Sequence, residues 1–375
     1  MTTKIKNIVV ACAVAVLFFG LFFACLVKPA DATSDSERRE LEQFPELTVS
    51  TLLNGEFMSK FEDYTLDQFP LRDRFRTLKS IFSFYVMGQK DNNNIYIEDG
   101  YAAQIEYPMN EDSLDYAAKK FEEIYNRYIR GKNAKAYFTV VPDKSYFLAA
   151  ENGYLSMDYD AFMEKMASKT DFMEFIDIRS FLSIEDYYKT DTHWRQEKIL
   201  DVAREIAAKM GVTLTAEYEE KLLDNPFYGV YYGQSALPLP ADEMRYLTND
   251  ILENCIVFDH TSGKEMSVYD MEKAFGKDPY EMFLGGSLSL ITIDNPNATT
   301  DKELIIFRDS FGSSIAPLLA EGYAKVTIVD VRYILSNILG NLTDVRTGKK
   351  VLDFKNADVL FLYSTLVLNN SSTIK

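Results

Sequence analysis

The chain has 375 residues, 47% of them hydrophobic and 14% aromatic, enough for a sizeable core in one large domain or two smaller ones. Its formal net charge is -17, from 40 Lys+Arg against 57 Asp+Glu, which argues against sequence-independent nucleic-acid binding because that needs clustered cations. Of three cysteines, Cys12 and Cys25 lie in an N-terminal apolar run and only Cys255 lies in the body, so neither a disulfide framework nor a Cys-rich zinc site is available.

Lys4 and Lys6 precede an uninterrupted apolar run from Ile8 to Val27. At roughly 1.5 Å per residue such a run spans about 30 Å, the thickness of a bilayer core. Positive charge before it and acidic sequence after it put residues 1–7 in the cytoplasm, make 8–27 a transmembrane anchor and leave the body extracytoplasmic. The rival reading is a cleaved signal peptide with a small-x-small site at Ala30-Asp31-Ala32, which makes the body a secreted one. A third is lipid attachment at Cys25. Residues 28–40 are polar and read as a linker, and 41–375 as one extracytoplasmic α/β domain.

From Leu41 to Gly88 the pattern is helical, with Leu52, Leu53, Phe57, Phe61 and Tyr64 at three- and four-residue steps. A turn at Asn92-Asn93-Asn94 leads to a short strand at Ile95–Ile97, and Leu114 to Ile129 marks an amphipathic helix. Ala136–Val141 reads as a buried strand. It ends at Lys144, which is either a binding group at a strand end or a solvated loop lysine. Phe172–Ile178 reads as a second strand. After Leu182 comes Thr190-Asp191-Thr192-His193-Trp194, with a helix expected from about Trp194.

Tyr228 to Tyr232 is aromatic and glycine-rich, a surface able to stack on sugar rings through Tyr232 or simply to pack a β-turn. Cys255–Phe258 and Leu288–Ile293 read as strands, and Gly285-Gly286 as a hairpin or a close backbone approach. The last segment alternates strand 304–307, helix 312–321, strand 325–331, helix 333–339 and strand 357–363. This βαβαβ order predicts a parallel sheet flanked by helices.

The chain has two histidines, and His193 is the one with an acid two residues away. In an extended segment residues i and i+2 point to one side, so Asp191 can fix the His193 tautomer and leave the other ring nitrogen free to take a proton. A nucleophile is offered at Arg308-Asp309-Ser310-Phe311-Gly312, where a buried strand runs into a helix. The expected triad is Ser310 as nucleophile, His193 as base and Asp191 as its orienting carboxylate. The plainer alternative is that Asp191 caps the following helix. Asp191, His193, Asp259 and His260 are also metal-ligand types, though no third local ligand cluster joins them. For oxyanion or substrate contacts the candidates are the Ser310 N–H, Arg332, Lys144, Asn369 and its neighbour Asn370.

Thr190-Asp191-Thr192-His193-Trp194, taken with Arg308-Asp309-Ser310-Phe311, resembles the DHHW proteins, which in turn resemble the alginate O-acetyltransferase group of SGNH hydrolase-like proteins. Phe57 to Arg72, Val141 to Lys144, Tyr231 to Leu237 and Asp330 to Tyr333 are similar to further family blocks. The Asp-x-His block precedes the Ser, as in that family and in permuted order relative to ordinary SGNH esterases. Two positions depart from the pattern: Arg308 stands where those esterases have Gly, and Thr192 stands where the name DHHW has His. The resemblance implies an SGNH hydrolase-like parallel sheet and O-acetyl transfer to, or removal from, an extracellular polysaccharide. No cofactor is implied, and a membrane protein delivering acyl groups is an implied partner. The alternative is a catalytically degenerate member that binds glycan or scaffolds an envelope complex.

Overall fold

The computed structural model describes residues 3–355 and 357–375. They form two compact units, one of residues 1–93 with 232–238 and one of 94–231 with 239–375. Residues 41–375, read from the sequence as one domain, are thus divided between the two.

The first unit begins with helix α1 (Thr3–Val27), which contains the expected anchor, is long and apolar enough to cross a membrane and buries none of its residues. Residues 1 and 2 of the expected cytoplasmic stretch lie outside the described residues. The expected linker is partly ordered, since Thr33–Ser34 pairs with Arg39–Glu40. The reason is non-local: Arg39 is ion-paired with Asp67 at 2.5 Å, a partner no local pattern reveals. Helices α2 (Glu56–Asp67) and α3 (Arg72–Ile81) follow, and α3 runs into a π-helical turn at Phe82–Val86.

The second unit is built on an eight-stranded sheet. Its strands are β1 (Lys135–Val141), β2 (Glu174–Phe175), β3 (Ile256–Asp259), β4 (Lys264–Met266), β5 (Leu290–Asp294), β6 (Glu303–Arg308), β7 (Lys325–Val329) and β8 (Ala357–Ser364), in the spatial order β4-β3-β5-β7-β6-β8-β1-β2. Strands β7, β6, β8, β1 and β2 are parallel, while β5, β3 and β4 extend the sheet antiparallel. The expected α/β architecture, a mostly parallel sheet with flanking helices, is what the structure has.

Alternation along β6 sends Leu304 and Ile306 to one face and Ile305 and Phe307 to the other; β8 does the same with Leu360 and Leu362 against Val359 and Phe361. Both faces are therefore buried, as a central parallel strand requires. Helices α5 (Leu200–Lys209) and α6 (Gly312–Leu319) cover the first face, and α4 (Glu111–Ile124) the second.

Three expected elements differ. The strand expected at 172–178 is only Glu174–Phe175, since β2 is an edge strand paired on one side at two positions. The helix expected at 333–339 is a 3₁₀ stretch, Ser336–Asn341: Leu335 and Ile338 are exposed and only Leu339 is buried, so there is no apolar face to dock a full helix. The helix expected from about Trp194 starts at Leu200, because Trp194 and Gln196 are drawn onto α6 instead. Gly285 and Gly286 both hold positive φ, and the Gly286 carbonyl accepts from Arg308, a close backbone approach.

Candidate active site

Strand β6 ends at Arg308, and the chain turns through Asp309 and Ser310 into α6. The corner is pinned by the buried Asp309 carboxylate. It accepts the Phe311 N–H at 3.0 Å, the Ser364 N–H at 2.7 Å and the Ser364 hydroxyl at 2.6 Å. Ser364 ends β8, the neighbour of β6, so these bonds tie the corner to the sheet. Bonds to a carboxylate contribute about 1.5–3 kcal/mol each. Ser310 is thereby presented at the C-terminal edge of the parallel strands, where such sheets bind ligands.

His193 meets Ser310 there. Its Nε2 lies 2.7 Å from Ser310 Oγ, and its Nδ1 lies 2.6 Å from Asp191 Oδ1. A carboxylate only accepts, so Nδ1 carries the proton and Nε2 accepts from the serine hydroxyl. The ring and the segment that carries it are both held. Tyr280 stacks on it with centroids 3.8 Å apart and an 8° interplanar angle, and Trp194, the next residue, donates its indole N–H to Phe311 O at 3.1 Å and Ser314 Oγ at 2.9 Å. Tyr280 also shares a 2.9 Å hydrogen bond with Ser314 Oγ, so the His193 and Ser310 segments are bound to the same turn of α6.

The segment carrying Asp191 is held by its neighbours rather than by any helix of its own. Asp191 does not cap a helix; its Oδ2 accepts the Val230 N–H at 2.9 Å. Thr190 Oγ1 accepts the Gly229 N–H at 2.8 Å and donates to Asp242 at 2.6 Å. The 229–230 backbone lies so close that a Cβ at Gly229 would stand 2.3 Å from Asp191 Cα, so only glycine fits. From below, the Lys144 ammonium donates to the carbonyls of Tyr188 at 3.0 Å and Lys189 at 3.2 Å. Burial pushes Lys144 down to about 7, while Asp191, Asp242 and Asp143 act in the opposite direction.

The other sequence candidates fall elsewhere. Lys144 is neither a solvated loop lysine nor a substrate contact, being 2% exposed and spent on those two carbonyls. Arg332 stands at the same sheet edge as Ser310, following β7, with its guanidinium bound by Asp330 at 2.9 and 2.6 Å; that bond raises its pKa against the cost of burial. Asn369 is used structurally, donating to Glu106 and Pro108 and accepting the Asn110 N–H at 2.7 Å, so the oxyanion reading does not hold for it. Residues 230–235 form a short helix, not a β-turn. Tyr231 is buried, and Tyr232 begins the segment that belongs to the first unit. Asp259 accepts the Thr261 and Ser262 N–H groups of its own turn, and His260 Nε2 lies 3.3 Å from Thr292 Oγ1. No group of three or more His, Cys, Asp or Glu suited to a metal occurs among the described residues.

Sequence reasoning missed Tyr280, Asp242, Gly229 and the cross-strand role of Asp309. Gly229 had a signal in its glycine-rich surroundings. Tyr280 and Asp242 had none, since they reach the site only through the tertiary fold.

A Ser-His-Asp chain of hydrogen bonds of this kind is an arrangement that can support acyl chemistry on a serine. The fold is similar to that of a DHHW family protein from Eubacterium siraeum, with TM-score 0.60 and 19% identity over 76% of this chain and 95% of that chain. It is also similar to Bacillus cereus PatB1, whose structure carries a sulfonyl adduct, with TM-score 0.56 and 18% identity over 73% of this chain and 95% of that one. No protein-family model and no curated protein matches the chain.

Proposed function

We propose that this protein transfers acyl groups, acetyl above all, to or from hydroxyls of an extracytoplasmic polysaccharide through a covalent acyl-Ser310. The observation that carries the reading is the unbroken Asp191–His193–Ser310 chain, with links of 2.6 and 2.7 Å. The motif resemblance to polysaccharide O-acetyltransferases and the anchor-like α1 support the substrate class and the location.

Each residue then has a role. Ser310 Oγ bonds to the acyl carbonyl carbon as its proton passes to His193 Nε2, and the carbonyl π pair moves onto oxygen. The Ser310 N–H, just before the first turn of α6, is the default donor to that oxyanion. Collapse expels the leaving alcohol, which takes the proton from His193. In the second half His193 deprotonates the acceptor as it attacks the acyl-serine carbonyl, and collapse breaks the acyl–Oγ bond as Ser310 Oγ takes the proton back from His193 Nε2. Water as acceptor gives an esterase; a sugar hydroxyl gives a transferase. Asp191 stays ionised throughout and stabilises the imidazolium. The donor in the cell is a membrane protein presenting acyl groups or an acylated small molecule.

The test supplies the purified protein with p-nitrophenyl acetate and a panel of polysaccharides, then counts free acetate and glycan-bound O-acetyl. Glycan acetylation above the Ser310→Ala background supports transfer, and acetate release alone supports hydrolysis. Wild-type turnover in Ser310→Ala overturns both.

A further inference from the structure

In the first unit, the continuous helical run from Arg72 to Val86 has its amphipathicity reversed. Its polar side faces inward: Arg76 donates to Gly233 O at 2.8 Å and Ser80 to Ser235 O at 2.7 Å, and Ser80 and Ser83 are buried. Its apolar side faces outward. Leu71, Phe75, Leu78, Phe82 and Tyr85 recur at alternating four- and three-residue steps, one stripe of a helix, and all are exposed, Leu78 at 61% and Tyr85 at 78%. A stripe of this kind in water marks an interaction surface, because an ordinary surface helix buries its apolar side.

Three observations say what covers it. First, α1 belongs to the same compact unit, is apolar enough to cross a membrane and ends at Val27, so the stripe is tethered close to whatever bilayer α1 enters. Second, of the cations on α3, Arg72 and Arg76 are ion-paired with Glu37, at 2.6 and 3.1 Å, which leaves Arg74 and Lys79 for an anionic partner. Arg74 and Lys79 are exposed beside the stripe, which suits anionic headgroups. A second copy would bring the same basic excess against itself. Third, Tyr85 is of the type enriched at the level of lipid headgroups, and Phe75 and Phe82 are of the type found on the apolar side of interfacial helices.

We propose that this face of the N-terminal unit lies in the interfacial layer of the bilayer that α1 enters, with the stripe Leu71–Tyr85 at the headgroup/acyl boundary and Arg74 and Lys79 at anionic phosphates. The first unit is then itself seated on the membrane. The inference does not depend on the chemistry at Ser310.

The experiment uses the full chain reconstituted, at less than one chain per vesicle on average, in mixed phosphatidylcholine and phosphatidylglycerol. Tyr85→Trp and, separately, Leu78→Trp supply the probe; the one native tryptophan, Trp194, is fully buried, and wild type gives its background. Lipids brominated near the headgroup end of the chain are expected to remove most of the added emission, while aqueous iodide removes little. Arg74→Glu with Lys79→Glu is expected to shift both probes toward iodide. Quenching of both probes by iodide and not by bromolipid overturns the proposal. Shielding from both quenchers overturns it as well, since protein and not lipid would then cover the face.

Discussion

Replacing Gly229 by alanine tests whether Asp191 acts only when held by the 229–230 backbone. The new Cβ would stand 2.3 Å from Asp191 Cα and Cβ and 2.4 Å from its N, whereas ordinary van der Waals contact begins at 3.4 Å. Main-chain atoms obstruct, so no side chain can swing away, and in a close-packed interior one segment must retreat by about 1 Å. That retreat stretches the Val230 N–H bond to Asp191, now 2.9 Å, a charge-assisted contact worth about 1.5–3 kcal/mol. It also carries the carboxylate out of line with His193 Nδ1. A misplacement of about 1 Å costs a reaction on the order of 10²-fold. The assay is the rate of p-nitrophenol release from p-nitrophenyl acetate, per folded molecule, with folding checked by thermal unfolding. A folded Gly229→Ala that acylates at the wild-type rate refutes the reasoning.

Further outcomes follow from the surrounding contacts. Lys144 has a folded pKa of about 7 against an ordinary 10.5, so between those values the unfolded chain holds a proton that the folded one lacks. Stability then rises with pH across that window. The urea midpoint of wild type should accordingly gain on that of Lys144→Met from pH 7 to 10, and parallel curves would count against a Lys144 pKa lowered by burial. Asp309→Asn weakens three bonds at the β6 corner and should lower stability by about 1.5–3 kcal/mol in urea titration, with slower acylation; an unchanged midpoint would mean the corner holds without them. Trp194→Phe leaves the Phe311 carbonyl without its indole donor and should cost about 1–3 kcal/mol together with acylation rate. A variant that loses stability but acylates normally would show that the indole does not position His193.

Much of this site was legible because its chemistry is carried by local patterns. Asp191 and His193 are two residues apart, and Ser310 follows a strand whose unbroken apolar run announces burial on both faces. Burial of the strand ends was the part that misled. Lys144 and Asn369 occupy positions where α/β proteins often bind ligands, yet each is consumed by backbone partners far away in sequence, Tyr188 and Lys189 for one and Asn110 for the other. The linker misled in the opposite direction. Its polar composition hid the ion pair that orders Arg39 against Asp67. The helix expected from about Trp194 is present but starts only at Leu200, because the indole and the Gln196 amide find partners on α6. The run from Arg72 was legible only as part of a helical segment, since periodicity gives a helix and not the side its apolar stripe turns to.

The central claim is that His193, oriented by Asp191, makes Ser310 a nucleophile. Sulfonyl fluorides sulfonylate an activated serine and leave an inert adduct. Wild type, His193→Ala and Ser310→Ala should be incubated with phenylmethanesulfonyl fluoride and the adduct located by peptide mass mapping. The account predicts one adduct, on Ser310 in wild type, slowed on the order of 10²-fold or more in His193→Ala and absent in Ser310→Ala. Labelling of Ser310 at the same rate with and without His193, or no labelling of Ser310 in folded wild type, would contradict it.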